Sequence, residues 1–376
     1  MRLALLSALV LPLALAAAAR ARPLPGNDAA TPSDRERPNS GAEEAPRQSA
    51  AAPPVRWLWI DTDLSFYSDD AVAIQMLLRS PNLAVAGISA ASGNVWGDQA
   101  AADALRVLQD GGFANVRVHP GLPTTAWAKR LELFRSGLDR TPNEHVLYAG
   151  ALSLNPAQPP SVPPGGWAAK GTSQPAAPEA LQLAARSLSG KLEIVLLGPA
   201  THLAQALASD PGLAKRIARI YFFAGALQVP GNATRSAEFN AWFDPDAADA
   251  VLRSGIPLTL MPLDVTQGLR YDPAWAARYR ASRNPLAAHV SAHIAHHQAR
   301  RGSPPSLYDE VLAALILDPS LATGSTHQPV EVVSRPGADF GRTRLAHDGR
   351  PPVTIIHGVD RARLFARLES ALTERP

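Results

Sequence analysis

The sequence predicts an α/β fold, a mostly parallel central sheet flanked by helices on both faces. Three observations predict it. Short apolar runs bounded by turn residues alternate with runs of helical spacing along most of the 376 residues. The strand-like runs are apolar throughout rather than alternating, as strands covered on both faces are. Four acids, Asp61, Asp63, Asp69 and Asp70, crowd where the first such run ends. Open parallel sheets carry their sites at that end.

The chain opens with a segment that is not fold. Met1-Arg2 is a short basic start, residues 3–19 are apolar and interrupted by Pro12, and Ala19-Arg20-Ala21 fits a small-residue cleavage site. Residues 1–21 read as a signal peptide for export, periplasmic or secreted. A membrane anchor fits less well, because the stretch is short for a span and holds a central proline. The chain has no cysteine. That excludes lipid attachment through cysteine, and disulfides. Residues 22–54, rich in Pro, Ala, Ser and charge without apolar period, read as a disordered linker. Residues 55–376 remain for one large domain.

Within it, strands are expected at 55–60, 84–89, 116–119, 194–197, Ile217–Phe223, Leu258–Met261, 330–333 and 353–356. Helices are expected at 71–78, 99–109 (stopped by Gly111-Gly112), 201–208, 247–253, across 273–300, and at 307–317 and 361–372. Residues 124–172, Pro- and Gly-rich in their second half, read as a variable insertion or lid. The formal net charge is +3, from 36 Lys and Arg against 33 Asp and Glu. No basic run is interleaved with aromatics, so nucleic acid is not an expected partner, nor is a membrane once the signal is cleaved.

Ser68 stands where it could cap a helix starting at Asp69, which puts Asp69 and Asp70 in a first turn whose N–H groups favour negative charge. Capping alone leaves Asp61 and Asp63 unexplained. Carboxylates packed this closely repel unless a cation lies between them. A hard cation such as Ca²⁺, with about six to eight oxygen ligands, suits them.

Five stretches, in order, resemble the nucleoside hydrolase family (inosine–uridine-preferring and related N-ribosyl hydrolases). They are Asp61-Thr62-Asp63 with Asp69-Asp70-Ala71, residues 87–95 around Gly93-Asn94, and Leu197-Gly198-Pro199-Ala200-Thr201. Residues 231–248 follow, with Asn232, Glu238, Asn240 and Asp244-Pro245-Asp246, and then Pro262-Leu263-Asp264-Val265-Thr266 with Tyr308-Asp309. The block 232–240 is the most specific. The resemblance spans residue 55 to the C-terminus and is weakest over 124–172.

The resemblance implies a Rossmann-like nucleoside hydrolase fold and Ca²⁺-dependent cleavage of the N-glycosidic bond of ribonucleosides. It implies Ca²⁺ ligation by Asp63, Asp70, Asp309 and the Leu197 carbonyl, with Asp63 also the general base to the attacking water. Asp69, Asn94, Asn232, Glu238 and Asn240 are then expected to hold the ribose hydroxyls, and Asp61 to support the metal site from behind. A homodimer or homotetramer is the common assembly.

The sequence also departs from the family pattern. Tyr308 stands where many members carry a histidine that protonates the leaving base, and tyrosine titrates near 10. A branch with an aromatic residue there stacks a purine on it, so Tyr308 tilts the expectation toward purine substrates, with space-filling the plain alternative. Ser65-Phe66-Tyr67 replace a glycine-bearing loop and could cover the site. His202 replaces an asparagine and reads as structural.

His289, His293, His296 and His297 share one helical face. With no acid nearby to complete a zinc site, contact with the leaving base or plain surface is expected instead. Trp96 and Trp242 adjoin matched motifs, though core packing is the plainer role. Two other functions compete: a ribose- or nucleoside-binding protein of the same fold without turnover, and a haloacid-dehalogenase-type phosphatase with Asp61 as nucleophile. The second leaves residues 232–240 without a role.

Overall fold

The computed structural model describes residues 55–139 and 146–373. The signal peptide and linker expected over 1–54 lie outside the described residues. Ten strands form: β1 (Arg56–Thr62), β2 (Leu83–Ala90), β3 (Val118–Pro120), β4 (Leu192–Leu196), β5 (Ile217–Phe223), β6 (Leu258–Met261), β7 (Ala322–Gln328), β8 (Val330–Val332), β9 (Thr343–Leu345) and β10 (Val353–Val359). Eight of them make one sheet in the order β3-β2-β1-β4-β5-β6-β10-β7. All its neighbours run parallel except β7 against β10.

The order reverses at β1, which pairs with β2 through Asp61↔Ser89 and with β4 through Asp61↔Leu196. A crevice therefore opens beyond the C-terminal ends of β1 and β4, where loops leave in opposite directions. Successive β1 residues face opposite layers. Leu58 and Ile60 enter one apolar core and Trp59 the other. The first core is covered by α1 (Asp69–Leu78), α2 (Gly97–Asp110) and later helices, among them α10 (Pro285–Arg301), α11 (Asp309–Leu317) and α12 (Arg361–Thr373). The second is covered by α4 (Ala177–Ser187), α5 (Thr201–Ser209) and α7 (Pro245–Leu252).

α1 packs on α11, and both begin at the crevice with acids in their first turns, Asp69-Asp70 and Asp309-Glu310. Ser68 does sit at the N-cap of α1, but its side chain makes no capping bond to the backbone. Its hydroxyl donates to the Asp70 carboxylate at 3.2 Å instead.

Several elements differ from the sequence expectation, each for a local reason. The expected strand 330–333 pairs only with β9, apart from the main sheet. The true edge strand β7, Ala-Thr-Gly-Ser-Thr-His-Gln, is polar and largely exposed, so it carries no apolar signal. The helical stretch 273–300 breaks into α9 (Ala274–Arg278) and α10, because Asn284 caps α10 through Leu286 N (2.9 Å) and Pro285 starts it.

Residues 124–172 contain α3 (Ala128–Ser136). Their side chains Trp127, Leu131 and Leu152 form a third apolar cluster with Phe239, Trp242 and Phe243. These side chains tie part of the segment to the 239–243 stretch. The short helices α6 (Phe239–Phe243) and α8 (Leu263–Thr266) follow matched motifs and were not expected. Among the described residues, no helix is long and apolar enough to cross a membrane.

Candidate active site

A cavity of about 580 Å³ occupies the crevice. Its floor is acidic: Asp63, Asp69, Asp70, Glu238 and Asp309 all line it. Asp63 leaves β1 and is clamped between two glycines. A Cβ at Gly93 would lie 2.0 Å from Asp63 Oδ2, and one at Gly198 2.9 Å from Asp63 Oδ1. The backbone N–H of Asn94 donates to Asp63 Oδ2 at 2.7 Å. Asp70 accepts from the hydroxyls of Thr62 and Ser68. Asp309 opens α11 with Oδ1 buried and without a hydrogen-bond partner.

One carboxylate oxygen from each of Asp69, Asp70 and Asp309 lies within 4.8 Å of the others. The trio that closes on one point thus has Asp69 where the sequence reading had Asp63. Asp63 lines the same cavity, and its charge acts on Asp309. Burial pushes the carboxyls of Asp63, Asp69 and Asp309 well above the usual carboxylate range, and neighbouring acids push them further. Burial also raises Asp70, against the hydroxyls that favour its ionised form. Glu310 is held at about 7, chiefly by burial, while it accepts the Tyr271 hydroxyl at 2.6 Å. Buried acids with an unpartnered oxygen and no cationic side chain bonded to them are the donor set a hard cation needs. The residues present fit Ca²⁺.

The expected sugar-binding residues converge on the same cavity, and each is also tied to the fold. Glu238 caps α6, accepting from Asn240 N (2.8 Å) and Ala241 N (3.1 Å), and also accepts from Gly225 N (2.9 Å). Burial nevertheless raises its carboxyl to about 7. Asn240 donates to the carbonyls of Leu197 (2.7 Å) and Phe223 (3.0 Å), so it positions the carbonyl assigned to the metal. Asn232 Oδ1 accepts from Phe239 N at 2.8 Å. The Asn94 side-chain carbonyl accepts from the Tyr148 hydroxyl at 2.9 Å.

Tyr308 lines the cavity and stacks on Phe223 at 5.7 Å. Burial raises its phenol further above 10, so it is a poorer acid than free tyrosine.

The remaining candidates sort by contact. Asp61 does not line the cavity. It is fully buried, and its Oδ1 pairs with His202 Nδ1 at 3.0 Å. A nucleophilic role for Asp61 is thereby corrected, and the structural reading of His202 stands. The surface alternative for the histidine face fails for His289 and His293. Burial lowers their pKa values to about 4 and about 3. His293 Nδ1 lies 3.1 Å from the Tyr67 carbonyl, and His296 stacks on the Tyr67 ring at 4.6 Å. The histidine face therefore pins the loop between Asp63 and Asp69, while His293 and His297 also line the cavity. Asp103 holds the same loop from α2, accepting from Phe66 N at 3.1 Å. Trp242 is fully buried and Trp96 nearly so, and neither lines this cavity.

Sequence reasoning missed Leu147, Tyr148, Phe223, Arg270 and Arg301 in the cavity wall. Tyr148 sits in the segment with the weakest pattern, and the arginines carry no motif. Only the aromatic end of β5 offered a signal.

A buried carboxylate cluster at the switch point of a parallel sheet, ringed by amides, defines a polyol- and cation-binding site of an α/β enzyme. The model of the family described as inosine-uridine preferring nucleoside hydrolase matches residues 58–366, and the chain belongs to that family. It is 31% identical over 307 residues to a pyrimidine-specific ribonucleoside hydrolase RihA of Salmonella schwarzengrund (strain CVM19633), covering 78% of this chain and 91% of the relative. It is 32% identical over 321 residues to the RihA of Enterobacter sp. (strain 638), covering 81% and 95%. Among solved structures, a plant nucleoside hydrolase (PpNRh1) superposes with a TM-score of 0.70 at 27% identity, covering 86% of this chain and all of that one. A purine-preferring ribonucleoside hydrolase from Gardnerella vaginalis shares the fold, with a TM-score of 0.67 at 24% identity over 84% and 98% of the two chains.

Proposed function

We propose that the protein is an exported, Ca²⁺-dependent hydrolase of the N-glycosidic bond of ribonucleosides, with purine nucleosides favoured, releasing free base and ribose. The observation that carries this reading is the trio of buried Asp70 and Asp309 with half-buried Asp69, and the unpartnered Asp309 oxygen, inside the cavity that also gathers Asn94, Asn232, Glu238 and Asn240. Asp63, Asp70, Asp309 and the Leu197 carbonyl would hold the ion, with Asp69 on the same point. Ca²⁺ when bound orients a water and offsets the repulsion among these carboxylates.

Asp63 takes the proton of the attacking water. The Gly93 and Gly198 clamp fixes its aim, and the Asn94 N–H holds its Oδ2 at 2.7 Å. The amides and carboxylates fix the ribose diol. Their negative charge favours the oxocarbenium character that develops as the C1′–N bond breaks. The loop at 63–69 is held from outside by Asp103 and His293. Burial makes both Tyr308, raised above its ordinary value, and His293, lowered to about 3, poor proton donors to the base. A purine carries a basic ring nitrogen that solvent can protonate, and its face can stack on Tyr308. That supports purine preference, although named relatives include pyrimidine-specific enzymes.

A panel of inosine, adenosine, guanosine, uridine and cytidine, with Ca²⁺ or chelator, tests this by chromatography of released base. Purines released fastest, and only with Ca²⁺, is the expected result. Faster uracil or cytosine release overturns the base preference, and no release from any nucleoside overturns the enzyme reading. Export predicts a mature N-terminus near residue 22, read by sequencing the protein from its producing cell.

A further inference from the structure

A second cleft, of about 220 Å³, opens off the main cavity and shares Asn232, Arg270, Ser306 and Tyr308 with it. Asn232 is one of the residues expected to grip the ribose. A substituent that extends past the sugar at Asn232 therefore enters this cleft. Its wall is built for a small anion. Arg270 is exposed, and its one hydrogen bond among the described residues is from Nη1 to the Pro304 carbonyl at 3.0 Å. Among the described residues it pairs with no carboxylate. The rest of its guanidinium fork is open to a ligand.

Ser306 flanks it beside Tyr308, the buried Thr266 hydroxyl is turned to the Leu263 carbonyl at 3.2 Å, and Gly268 leaves backbone as wall. Gly268 holds a left-handed φ of +75° with open space where a Cβ would stand. No acid lines this cleft, in contrast to the floor of the main cavity. The chemistry that matches an open guanidinium fork beside exposed backbone, with no acid in the wall, is a phosphate group. Arg301, also exposed and lining the main cavity, adds a second positive charge at the mouth.

We propose that the cleft shared by Arg270, Asn232 and Ser306 receives a phosphomonoester carried on the ribose, so that ribonucleoside monophosphates are substrates of the same site, cleaved to base and ribose phosphate. The inference rests on the nucleoside-hydrolase reading above. The reaction needs only water: the C1′–N bond breaks, the C1′–O bond forms, and the proton goes to the base. The phosphate ester is untouched.

The test compares kcat/KM for inosine and inosine 5′-monophosphate with Ca²⁺, in the full mature chain and in Arg270→Ala. The monophosphate is expected to be preferred by about tenfold or more, the size one charge-assisted bidentate contact gives. The preference should collapse toward one in Arg270→Ala. Inhibition of inosine cleavage supplies a readout that needs no variant. Ribose 5-phosphate should inhibit at about tenfold lower concentration than ribose or inorganic phosphate.

Cleavage of inosine without cleavage of the monophosphate overturns this inference and leaves the hydrolase reading intact. A preference that survives Arg270→Ala, or inorganic phosphate inhibiting as well as ribose 5-phosphate, also overturns it. Cleavage of neither substrate overturns the hydrolase reading itself.

Discussion

Replacing a buried acid should make the metal-free protein more stable. Asp309 is 2% exposed, its Oδ1 has no partner, and Asp69, Asp70, Glu310 and Asp63 all act on it with like charge. Because its folded pKa is raised, the folded state holds a proton that the unfolded state has lost. Stability is therefore full below the unfolded value and falls as pH climbs toward the folded one. In chelator at pH 8, Asp309→Asn relieves an uncompensated buried group, a gain of about 1–3 kcal/mol. For a domain of this size that is roughly 2–6 °C in Tm.

Ca²⁺ at a thousand times its Kd adds about 4.1 kcal/mol to the native protein, or roughly 8 °C. It should add almost nothing to the variant. The order of the two proteins thus reverses on adding Ca²⁺. Calorimetry at pH 8 and pH 5.5, each with chelator or Ca²⁺, reads all four corners, and the Ca²⁺ effect should shrink at pH 5.5 as the carboxyls protonate. A variant that is less stable than wild type in chelator and gains as much from Ca²⁺ refutes the reasoning.

Further outcomes follow from single contacts. Tyr308→Phe should keep kcat within about threefold, since the phenol is pushed too high to donate its proton, whereas Tyr308→Ala should lose about tenfold in kcat/KM with the stacking surface. A hundredfold fall in kcat for the Phe variant would show the phenol acting in proton transfer. Asn240→Ala should cost about 2–3 kcal/mol, because the Leu197 and Phe223 carbonyls lose a buried donor, and denaturant unfolding measures it. Glu238, held at about 7, accepts ribose hydroxyls best when ionised, so KM should rise as pH falls below 7. Glu238→Gln should flatten that dependence.

Part of the site was legible from pattern alone: Asp63 follows an apolar strand, and Asp69-Asp70 open a helix. Asn94, Asn232, Glu238, Asn240 and Asp309 carry no such pattern and are picked out only by the resemblance to the nucleoside hydrolase family. The edge strand β7 was not legible, since its polar residues pack against little and carry no period. The turn to α6 was hidden for a different reason. Its cap is Glu238, which the sequence reading gives to the sugar, and its bonds to the Asn240 and Ala241 N–H groups show only in three dimensions.

The placement of Asp69 in the closing trio is likewise geometric, because it depends on how α1 meets α11. Tyr148 was hidden deepest. It reaches Asn94 from a segment whose own pattern gives neither strand nor helix. The histidine face was legible in its periodicity, while its hold on the 63–69 loop was hidden, since His293 bonds the Tyr67 carbonyl more than two hundred residues away.

The central claim is that Asp63 and its neighbouring carboxylates deliver a water to the anomeric carbon. Cleavage of a nucleoside in ¹⁸O-water, with Ca²⁺ and a single turnover, tests it by mass spectrometry of both products. The account predicts one heavy oxygen on C1 of the ribose, none on the base, and loss of the reaction in Asp63→Ala. Unlabelled ribose, or labelled ribose formed at an undiminished rate by Asp63→Ala, would contradict it.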